Sequence, residues 1–145
     1  MDADQSVSAP LFAVVIEGNP GDAAANRSRR IGRGGSYKSA RLKSFERRAA
    51  MAFGQLPRGV GRLMPLLVSG RLRVHVHAYW PRRRHLDGTE ALALGDVDAP
   101  LKATLDALER AGVFDDDARV VELRARKNWD KARPRIEVEV YAAEA

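Results

Sequence analysis

The sequence predicts one α+β domain, in which two helices pack on one face of a mixed β-sheet. Apolar residues alternate with polar ones in several short segments, as in half-buried strands, and recur at helical spacing in two longer segments. With 145 residues and 45% hydrophobic content, the chain is long enough for one core and too short for two. We therefore expect a single domain over residues 1–145, with the order strand, helix, strand, helix, strand, strand.

The N-terminal half is expected to contain one strand and one helix, separated by a basic loop. Leu11–Ile16 is a continuous apolar run that ends at a turn, which predicts a buried strand. The polar residues 1–9 are expected to be disordered, and residues 21–36, which have no periodic pattern, to form a mobile basic loop. Ser39 is a suitable N-cap for an amphipathic helix, whose apolar positions are Leu42, Phe45, Ala49 and Phe53.

The C-terminal half is expected to contain three strands and the second helix. Residues 71–79 alternate and predict a strand that ends before Pro81, and residues 82–95 are expected to form a loop. A helix is predicted from Pro100 to about Ala111, with Gly112 as its stop. The last two strands are predicted by alternation around Val121–Ala125 and Ile136–Val140.

The composition limits the kinds of protein that this chain can be. Its formal net charge is +6, mostly through arginine, whose rigid fork suits phosphate oxygens, so we expect a polyanion as partner. The sequence has no cysteine, which excludes disulfides, thiolate zinc sites and cysteine nucleophiles. No apolar run is long enough for a signal peptide or a membrane span, and we expect a cytoplasmic protein.

Two carboxylates and an amine lie within seven residues at the start of the second predicted helix. A residue before a proline is usually extended, so Pro100 predicts that Asp96 and Asp98 point to the same side of the chain. Converging carboxylates can hold a hard divalent cation such as Mg²⁺. Lys102 falls in the first helical turn, where the helix dipole disfavours a cation, which suggests that it acts on a phosphate beside the metal.

Spacing alone leaves a purely structural interpretation of these residues open. Asp98 would then cap the helix, and Asp96 would be a solvated loop acid. Lys102 would pair with Asp106 one turn later. The acidic run at residues 115–117 would likewise be a polar turn into the third strand.

Two histidines and two tryptophans are also given structural interpretations. His75 and His77 share one face of a predicted strand, but the sequence offers no evident third metal ligand, so we expect a surface pair. Trp80 and Trp129 have rings that can stack on opened bases, although a packing or strand-edge role is the stronger expectation.

The run from Asp96 to Lys127 resembles the RusA family of Holliday junction resolvases. Members of that family have Asp-x-Asp-Asn-x-x-Lys, a helix similar to residues 104–108, an Ala-Gly pair, and an aspartate pair before an Ala-x-Val-Val segment. This chain keeps the same register without a gap, with Ala99 where the family usually has asparagine. The positions that correspond to the family's essential residues are Asp96, Asp98, Lys102 and Asp117.

The resemblance implies a mixed-sheet α+β fold and a Mg²⁺-dependent endonuclease, for which Mn²⁺ can substitute. Asp96, Asp98 and Asp117 would bind the metal, and Lys102 would stabilise the transition state. The substrate would be a four-way DNA junction in recombination and repair, and the protein would be a homodimer. A nuclease with relaxed preference for branched DNA and a DNA-binding protein without catalysis remain alternatives.

Arginine-rich segments are expected to contact DNA phosphates around this site. One is the basic loop with the residues that follow it, and the other is the triple arginine after the second strand. The residues expected to bind DNA are Asn26, Arg27, Arg29, Arg30, Arg33, Lys38, Arg82, Arg83 and Arg84.

The length of the second predicted helix bears on the oligomeric state. It separates Asp98 from Asp117 by roughly 18 Å at 1.5 Å per residue. A cation needs ligands within a few ångströms of one another, so one chain is not expected to bring both residues to one metal. We therefore expect active sites that are shared between the two subunits of a dimer.

Overall fold

A computed structural model describes residues 9–24, 30–32, 35–37, 39–54, 70–81, 83–84, 90–91, 97–114 and 116–143. Its main element is a four-stranded sheet formed by β1 (Phe12–Glu17), β4 (Leu72–Trp80), β7 (Val120–Trp129) and β8 (Arg135–Ala142). The spatial order is β1-β8-β4-β7, with β8 antiparallel to β1 and β4, and with β4 parallel to β7. The predicted mixed sheet is confirmed, and β7 lies at one edge of it.

The remaining elements are helices and short hairpins. The helices are α1 (Pro20–Ala24), α2 (Ala40–Gly54) and α3 (Leu101–Arg110), and a 3₁₀ turn covers Asp117–Arg119. The hairpins pair β2 (Arg30–Gly32) with β3 (Gly35–Tyr37), and β5 (Arg83–Arg84) with β6 (Glu90–Ala91). No helix within the described ranges is long and apolar enough to cross a membrane.

The core lies between one face of the sheet and the helices. Alternate residues of β1, β4 and β8 are buried, and the four predicted apolar positions of α2 are buried against them. The N-cap of α2 is Ser39, whose Oγ accepts a hydrogen bond from Leu42 N–H at 3.2 Å, as predicted. The three helices of the described residues pack on this face, and the strand residues that point to the other face are mostly charged or polar.

Two parts of the sequence interpretation missed regular structure. Residues 20–24 form α1, which overlaps the segment 21–36 that was expected to be a loop, because Asn19 Oδ1 accepts from Gly21 N–H at 2.8 Å and starts the helix. The rest of that segment contains the β2–β3 hairpin, and the expected loop at 82–95 contains β5 and β6. These elements are two to five residues long, too short to show a periodic pattern in the sequence.

The first strand is half-buried rather than fully buried. Val15 and Ala13 are exposed, although they belong to a continuous apolar run, because the described helices pack on the opposite face of β1. Residues 1–8 lie outside the described residues, so the expectation of disorder for this segment stays a prediction.

The C-terminal end of α3 is set by Gly112, as predicted. This glycine has φ +82, and its N–H donates to Glu109 carbonyl while Val113 N–H donates to Leu108 carbonyl, which are the two hydrogen bonds of a Schellman motif. A Cβ at this position would meet nothing within 4 Å. An alanine here would therefore destabilise the fold only through its strained backbone conformation, and not through a collision of its Cβ.

We expect Gly112→Ala to lower the free energy of unfolding by about 1 kcal/mol, because an L-residue with this φ is strained. Urea unfolding followed by circular dichroism would measure the change. Gly54→Ala is the matched control, since Gly54 ends α2 without a positive φ and a Cβ there would also meet nothing within 4 Å. Equal stability of the Gly112→Ala variant and the wild type would contradict the assignment of a left-handed cap.

Candidate active site

The predicted catalytic residues lie before, in the first turn of, and after α3, which lies between the two parallel strands in the chain. β4 and β7 are paired from Leu72 opposite Val120, at their amino ends, to Trp80 opposite Trp129, at their carboxyl ends. A parallel pair requires a crossover that returns the chain from the carboxyl end of one strand to the amino end of the next. α3 lies in this crossover. Its first turn therefore lies toward the carboxyl ends of β4 and β7, and its last turn lies toward their amino ends.

Asp98 lies in a turn directly before α3. Leu101 N–H donates to the Asp98 carbonyl at 3.0 Å, so residues 97–100 form a turn and not the extended segment that was predicted. Burial of Ala99 and Pro100 against the core outweighs the preference of a pre-proline residue for an extended backbone. The N-cap position is occupied by Pro100 and not by Asp98, whose side chain is exposed.

Lys102 lies in the first turn of α3 and is 66% exposed. Its Nζ is 3.4 Å from Asp106 Oδ1, so the ion pair that the structural interpretation expected is confirmed. A helical i,i+4 pair at the surface contributes only about 0.3–0.5 kcal/mol. This pair therefore leaves the ammonium free to move to a bound phosphate at little cost.

The acidic run after α3 has a structural role at one of its members. Asp116 Oδ1 accepts from Ala118 N–H at 2.9 Å, and the Asp116 carbonyl accepts from Arg119 N–H at 3.0 Å, so Asp116 starts the 3₁₀ turn. Asp117 is the first residue of that turn, directly before β7. Asp115 lies outside the described residues.

The structure does not bring Asp98 and Asp117 together within one chain. They lie beyond opposite ends of α3, a helix of ten residues, which is about 15 Å long at 1.5 Å per residue. Asp96 lies outside the described residues. Asn26, Arg27, Arg29, Arg33, Lys38 and Arg82 also lie outside them, and Arg30, Arg83 and Arg84 are placed only as backbone of short strands.

Two arginines of α2 are already engaged by the protein. Arg48 donates to the carbonyl of Glu17 and to Asp22 Oδ2, the latter at 2.6 Å, and Arg41 Nε is 3.0 Å from Asp22 Oδ1. Gly18 has φ +116 and lies against the Arg48 guanidinium, where a Cβ would collide. These contacts connect α2 to α1 and β1 near the carboxyl end of β1, so Arg48 has a structural role.

Comparison with known proteins decides the family. The family described as Endodeoxyribonuclease RusA matches residues 18–141. The chain belongs to the RusA endodeoxyribonuclease family. A search among curated proteins gave no match. RusA membership makes this chain a member of a nuclease family, and the matched residues include the whole segment from Asp96 to Asp117.

The tryptophans of this RusA-family chain lie where the structural interpretation expected them. Trp80 is 3% exposed in the core, with Lys127 Nζ 5.5 Å from the centre of its ring. Trp129 is exposed on the edge strand β7. Packing accounts for Trp80, which is too buried to stack on a base.

The sequence interpretation missed a carboxylate beside the two histidines. Glu139 on β8 lies opposite His75 on β4, and its Oε1 is 3.2 Å from His77 Nε2. The alternating pattern placed all three residues on the polar faces of their strands. It did not predict that these two strands pair, so the cluster was not visible in the sequence.

Replacing Lys102 and Asp106 separately tests whether Lys102 acts on phosphate. If it does, Lys102→Ala lowers the rate of DNA cleavage by about 10²–10³-fold, as the loss of one group that stabilises transition-state charge does. Asp106→Ala removes the same ion pair and is the matched control, with an expected rate near that of the wild type. If both substitutions changed the cleavage rate by the same small amount, Lys102 would have only the structural role of pairing with Asp106.

Proposed function

We propose that this chain is a Mg²⁺-dependent endonuclease that hydrolyses phosphodiester bonds at four-way DNA junctions, in recombination and repair in the cytoplasm. The observation that supports this most is the exposure of Asp98 and Lys102 together at the start of α3, inside the segment shared with the RusA family. Neither side chain is buried, so neither contributes to packing of the core. An acid and an amine at such a position suit a metal and a phosphate.

The donor atoms of the proposed metal site fit Mg²⁺. Asp96, Asp98 and Asp117 offer only carboxylate oxygens, the hard ligands that this cation prefers. Mg²⁺ or Mn²⁺ bound there would activate a water and neutralise charge on the attacked phosphate. Asp98 fits this role because its side chain is exposed and the turn over residues 97–100 fixes its backbone.

The first turn of α3 would hold the phosphate itself. Helix N-termini attract anions through free N–H groups and the helix dipole, and the ammonium of Lys102 adds a full positive charge there. The cation that is unfavourable for an isolated helix is therefore favourable once phosphate binds. Lys102 would neutralise charge that develops in the transition state, near the metal ligands Asp96 and Asp98.

The separation of Asp98 and Asp117 supports a shared site. A two-fold dimer with antiparallel α3 helices would bring the partner's Asp117 to Asp96 and Asp98 of this chain, and would do so twice. Two such sites suit the symmetric cleavage of a junction. The basic residues before α2 and the triple arginine at 82–84 would contact the phosphates of the arms.

Two other functions are tested by the same substrates. A nuclease of relaxed specificity would cleave flaps and forks as fast as a four-way junction. A DNA-binding protein without catalysis would cleave nothing, and exposed carboxylates would repel phosphate without an intervening cation. We favour the junction nuclease because the family match covers residues 18–141.

We expect Asp98→Asn to abolish cleavage of a synthetic four-way junction and to leave junction binding unchanged or tighter, because it removes a metal ligand and a negative charge. Gel assays with and without Mg²⁺, on the junction and on linear duplex, measure cleavage and binding together. Asp106→Asn is the control, since it removes an equal charge from the same helix region. Normal cleavage by Asp98→Asn, or cleavage without any divalent cation, would contradict the proposal.

Mixing two inactive variants tests the shared site. After subunit exchange between Asp98→Asn and Asp117→Asn, the heterodimer would contain both substitutions in one site and an intact second site, and it would nick the junction. Sites within single chains predict no recovery. Exchange is verified with subunits of different mass. Demonstrated exchange without nicking, or a monomer at concentrations that cleave, would contradict a shared site.

A further inference from the structure

A cluster of side chains that can ligate a metal lies on the face of the sheet opposite the described helices. His75 and His77 project from β4, and Glu139 projects from β8 directly opposite His75. Glu139 Oε1 is 3.2 Å from His77 Nε2 and 3.9 Å from His75 Nδ1. One ligand atom from each residue lies within 4.8 Å of the others.

These separations are close to those of a bound transition metal. Ligands at 2.0–2.2 Å in tetrahedral geometry lie about 3.4 Å apart. The two separations from Glu139 lie on either side of this value, so small side-chain rotations would complete the geometry. The backbone of both strands is fixed by the continuous ladder between Leu72 and Tyr79 of β4 and their partners on β8.

The hydrogen bonds of the cluster leave one imidazole unsatisfied. His75 Nε2 is buried and has no hydrogen-bond partner among the described residues, which is costly for a polar atom. The atom of this ring that lies near Glu139 is Nδ1, 3.9 Å from Oε1. A neutral imidazole binds a metal through either Nδ1 or Nε2.

The carboxylate has the supporting contacts that a metal ligand needs. The hydroxyl of Tyr141 donates a hydrogen bond to the Glu139 carboxylate. The Tyr141 ring is 4.8 Å from that of His75, centre to centre, and Arg73 lies 5.2 Å from the same ring. Such second contacts orient ligands and raise metal affinity.

We propose that His75, His77 and Glu139 bind one Zn²⁺ per chain, with a water in the fourth position. Imidazole nitrogens suit zinc and similar transition metals, whereas Mg²⁺ prefers oxygen alone. A cleft lined by both histidines, Arg124 and Arg126 gives solvent access to the site. This site is distinct from the carboxylates around α3 and is independent of the nuclease proposal.

A neighbouring positive charge makes a second test possible, in which a substitution should tighten Zn²⁺ binding instead of weakening it. Arg124 lies beside His75, and its own partner is Glu122, at 2.7 Å. A positive charge so close opposes cation binding. Removing it should therefore tighten Zn²⁺ binding, an effect that damage to the fold would not produce.

Zinc binding by the tag-free, chelator-stripped chain would be measured with a competing chromophoric chelator, and its stoichiometry by elemental analysis after dialysis. We expect one Zn²⁺ per chain, retained in excess Mg²⁺. His75→Gln, His77→Gln and Glu139→Gln should each weaken binding at least tenfold. Arg124→Gln should tighten it severalfold. Circular dichroism and thermal unfolding of the metal-free variants would verify their folds.

Glu137→Gln is the matched control, because Glu137 lies on the same face of β8 but its Oε2 is held 2.7 Å from Arg135 Nε. Its zinc affinity should stay within twofold of wild type. The proposal is overturned if no zinc is retained, if excess Mg²⁺ displaces it, or if Glu137→Gln loses as much affinity as Glu139→Gln. Loss of zinc in Asp98→Asn with retention in the histidine variants would also overturn it.

Discussion

The parallel pairing of β4 with β7 is the constraint on which the arrangement of this domain depends. The pairing extends from Leu72 opposite Val120 to Trp80 opposite Trp129, and it forces the chain between these strands to cross one face of the sheet. α3 makes that crossing and buries Leu108 and Ala107 against the core. The start and the end of the crossover are therefore held at opposite ends of the strands, and so are the two acidic segments that flank α3.

The two faces of the sheet have different chemistry, and the described helices pack on the apolar one. Every second residue of β4, and of β8 from Ile136 to Val140, is an aliphatic or aromatic core residue, and the intervening residues are charged or polar. On the face opposite the described helices, Arg135 contacts Asp130 at 2.8 Å and Glu137 at 2.7 Å, and its guanidinium lies 3.8 Å from the centre of the Tyr79 ring. Charge pairing and stacking of this kind hold polar side chains in place on that face.

The sequence predicted correctly those elements that depend on local residue patterns. The mixed sheet, α2 with Ser39 as its cap, and Gly112 as the stop of α3 followed from alternation, helical spacing and the conformational preference of glycine. Asp98 and Lys102 are exposed, and their assignment as site residues stays a prediction.

What the sequence did not predict depends on contacts between distant residues. The neighbourhood of Glu139 and the histidines requires the register of β8 against β4, which no local pattern contains. The turn at Asp98 forms because Ala99 and Pro100 are buried, a tertiary effect that overrides the local preference before proline. α1 contains too few residues for a period and begins through a single Asn19 contact.

The edge position of β7 has a consequence for the behaviour of the protein in solution. This strand of ten residues exposes Val121, Leu123 and Trp129, and an exposed apolar edge is a template for intermolecular strand pairing. Arg124, Arg126 and Lys127 interrupt the apolar positions and repel a second copy of the same edge. Because salt screens this repulsion over distances of about 10 Å at 0.1 M, the chain should become more prone to aggregate as ionic strength rises.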